Sequence, residues 1–184
     1  RWVAKHQRRF AEFVRDRPQK AYVNGETHRY LGRQYRLKVL PLEGIGQQRQ
    51  QRVRLVGRYF EIHTTKPDKP THTRALLARW FRTKAEVRLR ERFVLGCERM
   101  AKYGVEPPPL QVRRMERRWG SCTASGRVLL NPRLIHTPTA CIDYVVLHEL
   151  CHFRHPHHGP AFYALLERVM PDWKGRKERL ERIH

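Results

Sequence analysis

The chain has 184 residues, of which 40% are hydrophobic and 30% charged, a balance that supports one sizeable folded core and excludes a disordered chain. Lys and Arg number 39 against 17 Asp and Glu, a net charge of +22 that attracts polyanions, nucleic acid first among them. No run of about 18 apolar residues occurs, so no membrane span is expected, and the basic start lacks the apolar stretch of a signal peptide.

Residues 1–17 contain no Gly or Pro and carry Val3, Phe10, Phe13 and Val14, which predicts a helix ending before Pro18. Residues 20–63 read as strands. Tyr22-Val23, the Asn24-Gly25 turn and Thr27–Leu31 suggest a hairpin; Tyr35, Leu37 and Val39 alternate with Arg36 and Lys38; Val53, Leu55 and Tyr59–Ile62 suggest two more strands broken at Gly57. The polar segment Glu43–Gln51 reads as an exposed loop. After a Pro-rich connector, Leu77, Phe81, Ala85, Leu89 and Phe93 recur every four residues and predict a long helix over about Thr73–Tyr103, its charged residues forming a solvated face. Leu110–Met115 and Arg127–Asn131 read as strands, with Arg118–Cys122 as a turn or bulge between them, an antiparallel pair. Four cysteines, Cys97, Cys122, Cys141 and Cys151, occur singly, which suggests a reducing, cytoplasmic setting.

The most constrained chemistry lies in His148-Glu149-Leu150-Cys151-His152. Thr137 as N-cap and Pro138 at the first helical position predict a helix that Pro156 stops near His155. On that helix His148 and His152 fall within about 40° of each other, with Ile142, Val146, Leu150 and Phe153 on the far side. Two imidazoles one turn apart on a rigid element are a metal half-site, and Glu149 on the flank suits a general base that acts without coordinating. A three-ligand catalytic site needs its third ligand from elsewhere. His158 is favoured because the chain can turn back before Gly159-Pro160 starts a helix with Phe162, Leu165, Leu166 and Val169 buried. His155 is the alternative, and His157 ranks below it; Cys151 sits off the histidine face. Such a set points to zinc-activated hydrolysis.

Arg118-Trp-Gly-Ser-Cys122, Leu130-Asn131, Arg133-Leu-Ile135, Ile142–Leu150, His158 and Met170-Pro-Asp-Trp173 resemble the YgjP-like metallopeptidases, and Gly25-Glu26 with Tyr30-Leu-Gly32 extends the likeness into the N-terminal half. The resemblance implies an α+β fold: a small antiparallel β N-terminal part, residues 1–70, and a zincin-like metallopeptidase domain, residues 71–184, whose active-site helix packs on a short antiparallel sheet. It implies His148, His152 and His158 as Zn²⁺ ligands and Glu149 as the catalytic acid/base. The His-Gly-Pro-x-Phe ending is also similar to SprT-like proteases, which act on DNA-bound proteins, whereas His157 and Gly159 depart from the usual Asn and Ser. Arg118 and Ser121 are candidate residues of a substrate edge, and Trp119 a cap on the core. The expected partner is a protein or peptide substrate. Nucleic acid held by the basic surface around a structural zinc, or RNA as the hydrolysed substrate, are the competing readings.

Overall fold

The computed structural model describes residues 20–42 and 50–183. The helix expected over residues 1–17, and nearly all of the loop expected over residues 43–51, lie outside the described residues. The architecture is α+β: two small sheets and four α-helices among the described residues.

The first sheet contains β1 (Thr27–Tyr30), β2 (Arg33–Pro41), β3 (Arg52–Val56) and β4 (Tyr59–Thr64), in the order β1-β2-β4-β3. β1 and β2 form a hairpin closed by Leu31-Gly32, both at positive φ (47° and 80°), the backbone of a two-residue type I′ turn. The hairpin turn is therefore not at Asn24-Gly25, and Tyr22-Val23 is not a strand. Asn24-Gly25 does turn, but it braces β2 from outside: the Asn24 Oδ1 accepts from the Val39 N–H at 2.6 Å and the Gly25 N–H donates to the Leu37 carbonyl at 2.9 Å. The sheet is mixed rather than antiparallel, because β4 returns beside β2 in parallel, pairing Leu37 with Phe60 and Val39 with Ile62. Period-two alternation buries Phe60, Ile62 and Thr64 on one face whichever way the neighbour runs, so the pattern alone does not tell the two arrangements apart.

The long helix, α1 (Pro70–Ala101), starts three residues before the expected Thr73 because Pro70 occupies its first turn, where a missing N–H costs nothing. Its buried stripe runs through Leu77, Ala85, Leu89, Phe93, Gly96, Cys97 and Met100. Gly96 lets α1 pass close to the helix that carries the histidines; a Cβ there would overlap the Val146 side chain.

The second sheet is β5 (Leu110–Val112), β6 (Gly120–Cys122) and β7 (Val128–Leu130), in the order β5-β7-β6. Gly120–Cys122, expected within a turn or bulge, is instead a strand antiparallel to β7, and β5 joins β7 in parallel rather than as the expected antiparallel pair, so this sheet too is mixed and β6 is an edge strand among the described residues. Buried Asn131 sets the path into β6. Its Nδ2 donates to the Met115 and Arg118 carbonyls at 2.7 and 2.9 Å, and its Oδ1 accepts from the Arg133 N–H at 3.1 Å, opening a 3₁₀ turn over Pro132–His136.

Three helices follow: α2 (Thr139–Cys151), α3 (Pro160–Val169) and α4 (Trp173–Glu181). Thr137 is not the N-cap of α2. Its buried hydroxyl donates back to the Leu134 carbonyl at 2.8 Å and closes the 3₁₀ turn, leaving Pro138 at the cap position. Nor does α2 reach His155. It ends at Cys151, five residues before Pro156, and the N–H groups of His152, Phe153 and Arg154 bond to carbonyls three residues back and tighten the last turn. α2 is also buried nearly all round, not on one face: Ile142, Val145, Val146, Leu147 and Leu150 are all enclosed. Arg92 of α1 grips Asp143 of α2 through two hydrogen bonds of 2.6 and 2.8 Å, and Arg176 of α4 reaches the same carboxylate at 3.7 Å.

Candidate metal centre and its surroundings

His148 and His152 stand one turn apart at the C-terminal end of α2, and His158 returns to them from the loop before α3. The chain doubles back over Pro156 and Gly159, and Pro160 at the first position of α3 fixes the direction in which it leaves. Among the described residues, these three histidines form the one group of three or more His, Cys, Asp or Glu residues whose donor atoms converge, all within 4.8 Å of one another. The Nε2 atoms of His148 and His158 are 3.0 Å apart. A tetrahedral ion with bonds of about 2.0–2.1 Å holds neighbouring nitrogens roughly 3.3 Å apart, so the triad is close to the required span. His155 and His157 contribute no ring nitrogen to this group. His155 acts through its backbone: its carbonyl faces the His152 Nδ1 at 3.3 Å, which places the proton on Nδ1 and leaves the Nε2 lone pair for an ion.

Buried Phe162 supports the triad from α3, its ring centroid 5.0, 4.8 and 4.7 Å from those of His148, His152 and His158. The sequence marks Phe162 only as core; its contact with all three imidazoles depends on the fold-back at Pro156. Burial, then the neighbouring His152, His158 and Lys177, push the His148 imidazole down to about 3, and burial also lowers His152 and His158. Three imidazoles kept neutral keep their lone pairs, which is the donor chemistry that zinc and similar cations accept.

Glu149 does not stand on an open flank. It is 7% exposed, enclosed between α2 and β6. Burial pushes its carboxyl up to about 8, opposed by a hydrogen bond from the Cys122 backbone N–H and by the Arg118 charge. Gly120 makes the room: a Cβ there would lie 2.8 Å from the Glu149 Cγ and Oε1 and 2.8 Å from the Val145 Cγ1. Gly120→Ala is therefore expected to displace the carboxyl by a fraction of an ångström to an ångström, to lower turnover about tenfold to a hundredfold, and to cost about 1–3 kcal/mol of stability. Steady-state kinetics and thermal melts check this; unchanged turnover would show that the position of Glu149 against β6 is immaterial.

Arg118 and Ser121, the candidate edge residues, flank this point. Arg118 is exposed, and its Nη1 lies 3.5 Å from the Ser121 Oγ. Half-buried Trp119 packs against the hydrophobic core, in agreement with a capping role. The edge strand, the buried carboxyl and the three histidines thus meet in one place, at the end of one helix.

No curated protein matches the chain. Two solved metallopeptidase zymogens are similar over half of it: abylysin of Pyrococcus abyssi, with 18% identity, 90% of that chain covered and a TM-score of 0.45, and jannalysin of Methanocaldococcus jannaschii, with 17% identity, 86% covered and a TM-score of 0.43. The family model described as YgjP-like, metallopeptidase domain, matches residues 1–183, and the chain belongs to this family of metallopeptidases.

Proposed function

We propose that the metal is zinc, held by His148, His152 and His158, and that the enzyme hydrolyses a peptide laid along the free edge of β6, with Glu149 as general base. One observation carries the reading: three neutral imidazole donors converge beside a buried carboxyl that is itself hydrogen-bonded to the edge strand. Zinc bound there would supply Lewis acidity toward a water and toward the scissile carbonyl. The chain's own residues supply the rest. β6, an edge strand among the described residues, offers backbone donors and acceptors to an extended substrate, which would fix the scissile bond relative to α2. The Glu149 carboxylate takes the proton of the attacking water and passes it to the leaving amine, and a cation beside it favours the ionised form that this role needs. Arg118, exposed at the same edge, is placed to steer substrate carbonyls or anionic side chains.

The same proposal assigns catalysis to residues 71–184 behind a supporting region of residues 1–70, in a reducing, cytoplasmic setting compatible with four free thiols. Its test is a mixed peptide library incubated with zinc-loaded, chelator-stripped and zinc-restored protein, with products read by mass spectrometry. Cleavage should appear, vanish and return; no product from the loaded protein would contradict the reading.

A second reading, recruitment to nucleic acid, is favoured by one local feature. Arg113, Arg114, Arg117, Arg118 and Arg127 are all exposed around β5–β7, with Glu116 as the one acidic residue of the connecting segment. If four of these arginines contact phosphates, affinity for a duplex should fall about a hundredfold between roughly 50 and 200 mM salt. Fluorescence anisotropy measures this, and a flat salt response would remove the reading.

A further inference from the structure

The first sheet buries one face and leaves the other to solvent. Trp80 and Phe81 of α1 cover the inner face by packing on Tyr30 and Phe60, with ring centroids 5.0, 6.4, 5.2 and 5.4 Å apart. Period-two alternation then turns Arg29, Arg36, Lys38, Arg52, Arg54 and Tyr59 to the outer face. Arg29 is half-buried there and the other five are exposed. Register sets them in rows. Arg36 of β2 lies beside Tyr59 of β4; in the next row Lys38, Glu61 and Arg54 stand abreast on β2, β4 and β3; beyond them His63 faces Arg52. Rows are about 6.6 Å apart and strands about 4.8 Å.

Charge is laid down differently on the helices. On α1, Arg88 pairs with Glu91 at 2.8 Å and Arg90 with Glu86 at 2.6 Å, and on α4 Arg176 pairs with Asp172 at 2.8 Å. The carboxylates of the sheet region, Glu26 and Glu61, pair with Lys20, His28, Lys38 and His63, and among the described residues none pairs with Arg36, Arg52 or Arg54. Cations gathered on one face repel one another, and a bound polyanion removes that repulsion.

Tyr59 distinguishes this face from a plain anion-binding surface. It is 43% exposed on an inner strand of the sheet, and the Lys38 ammonium lies 6.0 Å from its ring centroid. An exposed ring among cations is a platform on which a base stacks while its phosphates meet the flanking charges. A duplex keeps its bases stacked inside, and the sheet, about 14 Å from β1 to β3, is wider than the roughly 12 Å major groove. A lipid surface offers anions but no ring to stack. Glu61, central in its row, repels phosphate and accepts hydrogen bonds; a ribose 2′-hydroxyl donates one and deoxyribose has none to give.

We infer that the outer face of β1–β4 binds single-stranded RNA, with a base stacked on Tyr59, phosphates held by Arg36, Lys38 and Arg54, and a 2′-hydroxyl donating to Glu61. The inference stands apart from the peptidase reading and uses none of the arginines around β5–β7. Phe81, where α1 meets this sheet, and Gly96, where it meets α2, are about 22 Å apart along the helix.

The test titrates the full-length protein into a fluorescent RNA strand of about 12 nucleotides and mixed sequence, read by anisotropy. The DNA strand of the same sequence, the RNA duplex and phosphatidylserine vesicles are the competing ligands. The RNA strand should bind most tightly, about threefold or more above the DNA strand. Tyr59→Thr, which keeps strand propensity and removes the ring, should weaken it about tenfold, and Tyr59→Phe should stay within about twofold. Arg36→Gln with Arg54→Gln should lower the slope of log affinity against log salt by about 1.4, whereas Arg114→Gln with Arg117→Gln, an equal loss of charge, should leave it unchanged. Thermal melts verify the fold of each variant, and Tyr59→Val replaces Tyr59→Thr where the latter melts early. A parent that binds no RNA strand, or that binds the DNA strand, the duplex or the vesicles as tightly, overturns the inference. So does RNA binding that survives loss of the Tyr59 ring, or a salt slope that both arginine pairs lower equally.

Discussion

Glu149→Gln is expected to keep the metal and to lower peptide hydrolysis by about 10²–10⁴-fold, the range that a positioned general base contributes. Glutamine matches glutamate in shape, and its Oε1 can still accept the Cys122 backbone N–H that holds the carboxyl against β6. The three imidazoles are untouched, so metal content should not change. The same substitution has a second, opposite effect. Burial pushes the Glu149 carboxyl from 4.5 up to about 8. In metal-free protein the unfolded chain therefore releases a proton above about pH 4.5 that the folded chain keeps until about pH 8. The metal-free parent should lose stability as pH rises through that window. Glu149→Gln should remove this dependence and be more stable at pH 8, by on the order of 3 kcal/mol. Kinetics and pH-dependent melts of the two proteins read both effects. A variant that loses activity because it loses metal, or that is less stable than the parent at pH 8, would contradict this account of Glu149.

His158→Ala is the second large effect. His158 lies in the loop before α3 and is only partly enclosed, so its truncation leaves the core intact, whereas truncating His148 would also open a hole beside Tyr144 and Phe162. With one of three donors gone, zinc affinity should fall by more than the 10–100-fold typical of losing a supporting partner, and hydrolysis should be lost with it. His157→Ala and His155→Ala serve as controls. Neither ring joins the converging donors, and His155 acts through its carbonyl, so both should bind zinc within about twofold of the parent. Competition with a chromophoric chelator measures all four proteins. Near-parent affinity in His158→Ala would remove His158 from the ligand set.

The convergence of His148, His152 and His158 was legible in the sequence because its information is local. Two histidines at i,i+4 fix their own spacing, a proline break allows a return, and the next helix announces itself through Pro160 and a buried Phe162–Val169 face. The apolar stripe of α1 was legible for the same reason. What was hidden depends on distant partners. Glu149 is buried because Gly120, 29 residues earlier, lies on an edge strand against it; nothing near Glu149 in the chain announces that cover. Thr137 satisfies every local rule for an N-cap, yet the Leu134 carbonyl behind it captures the hydroxyl first. The β1–β2 turn was missed because leucine is uncommon at positive φ, and Leu31 is held there through its N–H to the Ile135 carbonyl at 2.8 Å. The parallel pairings of β4 and β5 leave no trace in alternation, since a strand buries the same residues beside either neighbour.

The coordination shell of the metal in the purified parent protein tests the central claim most directly. Metal analysis with X-ray absorption should find one zinc per chain, bound by three imidazole nitrogens at about 2.0–2.1 Å, with an oxygen in the fourth position. A shell closed by four protein ligands, or a parent protein with no stoichiometric metal, would contradict it.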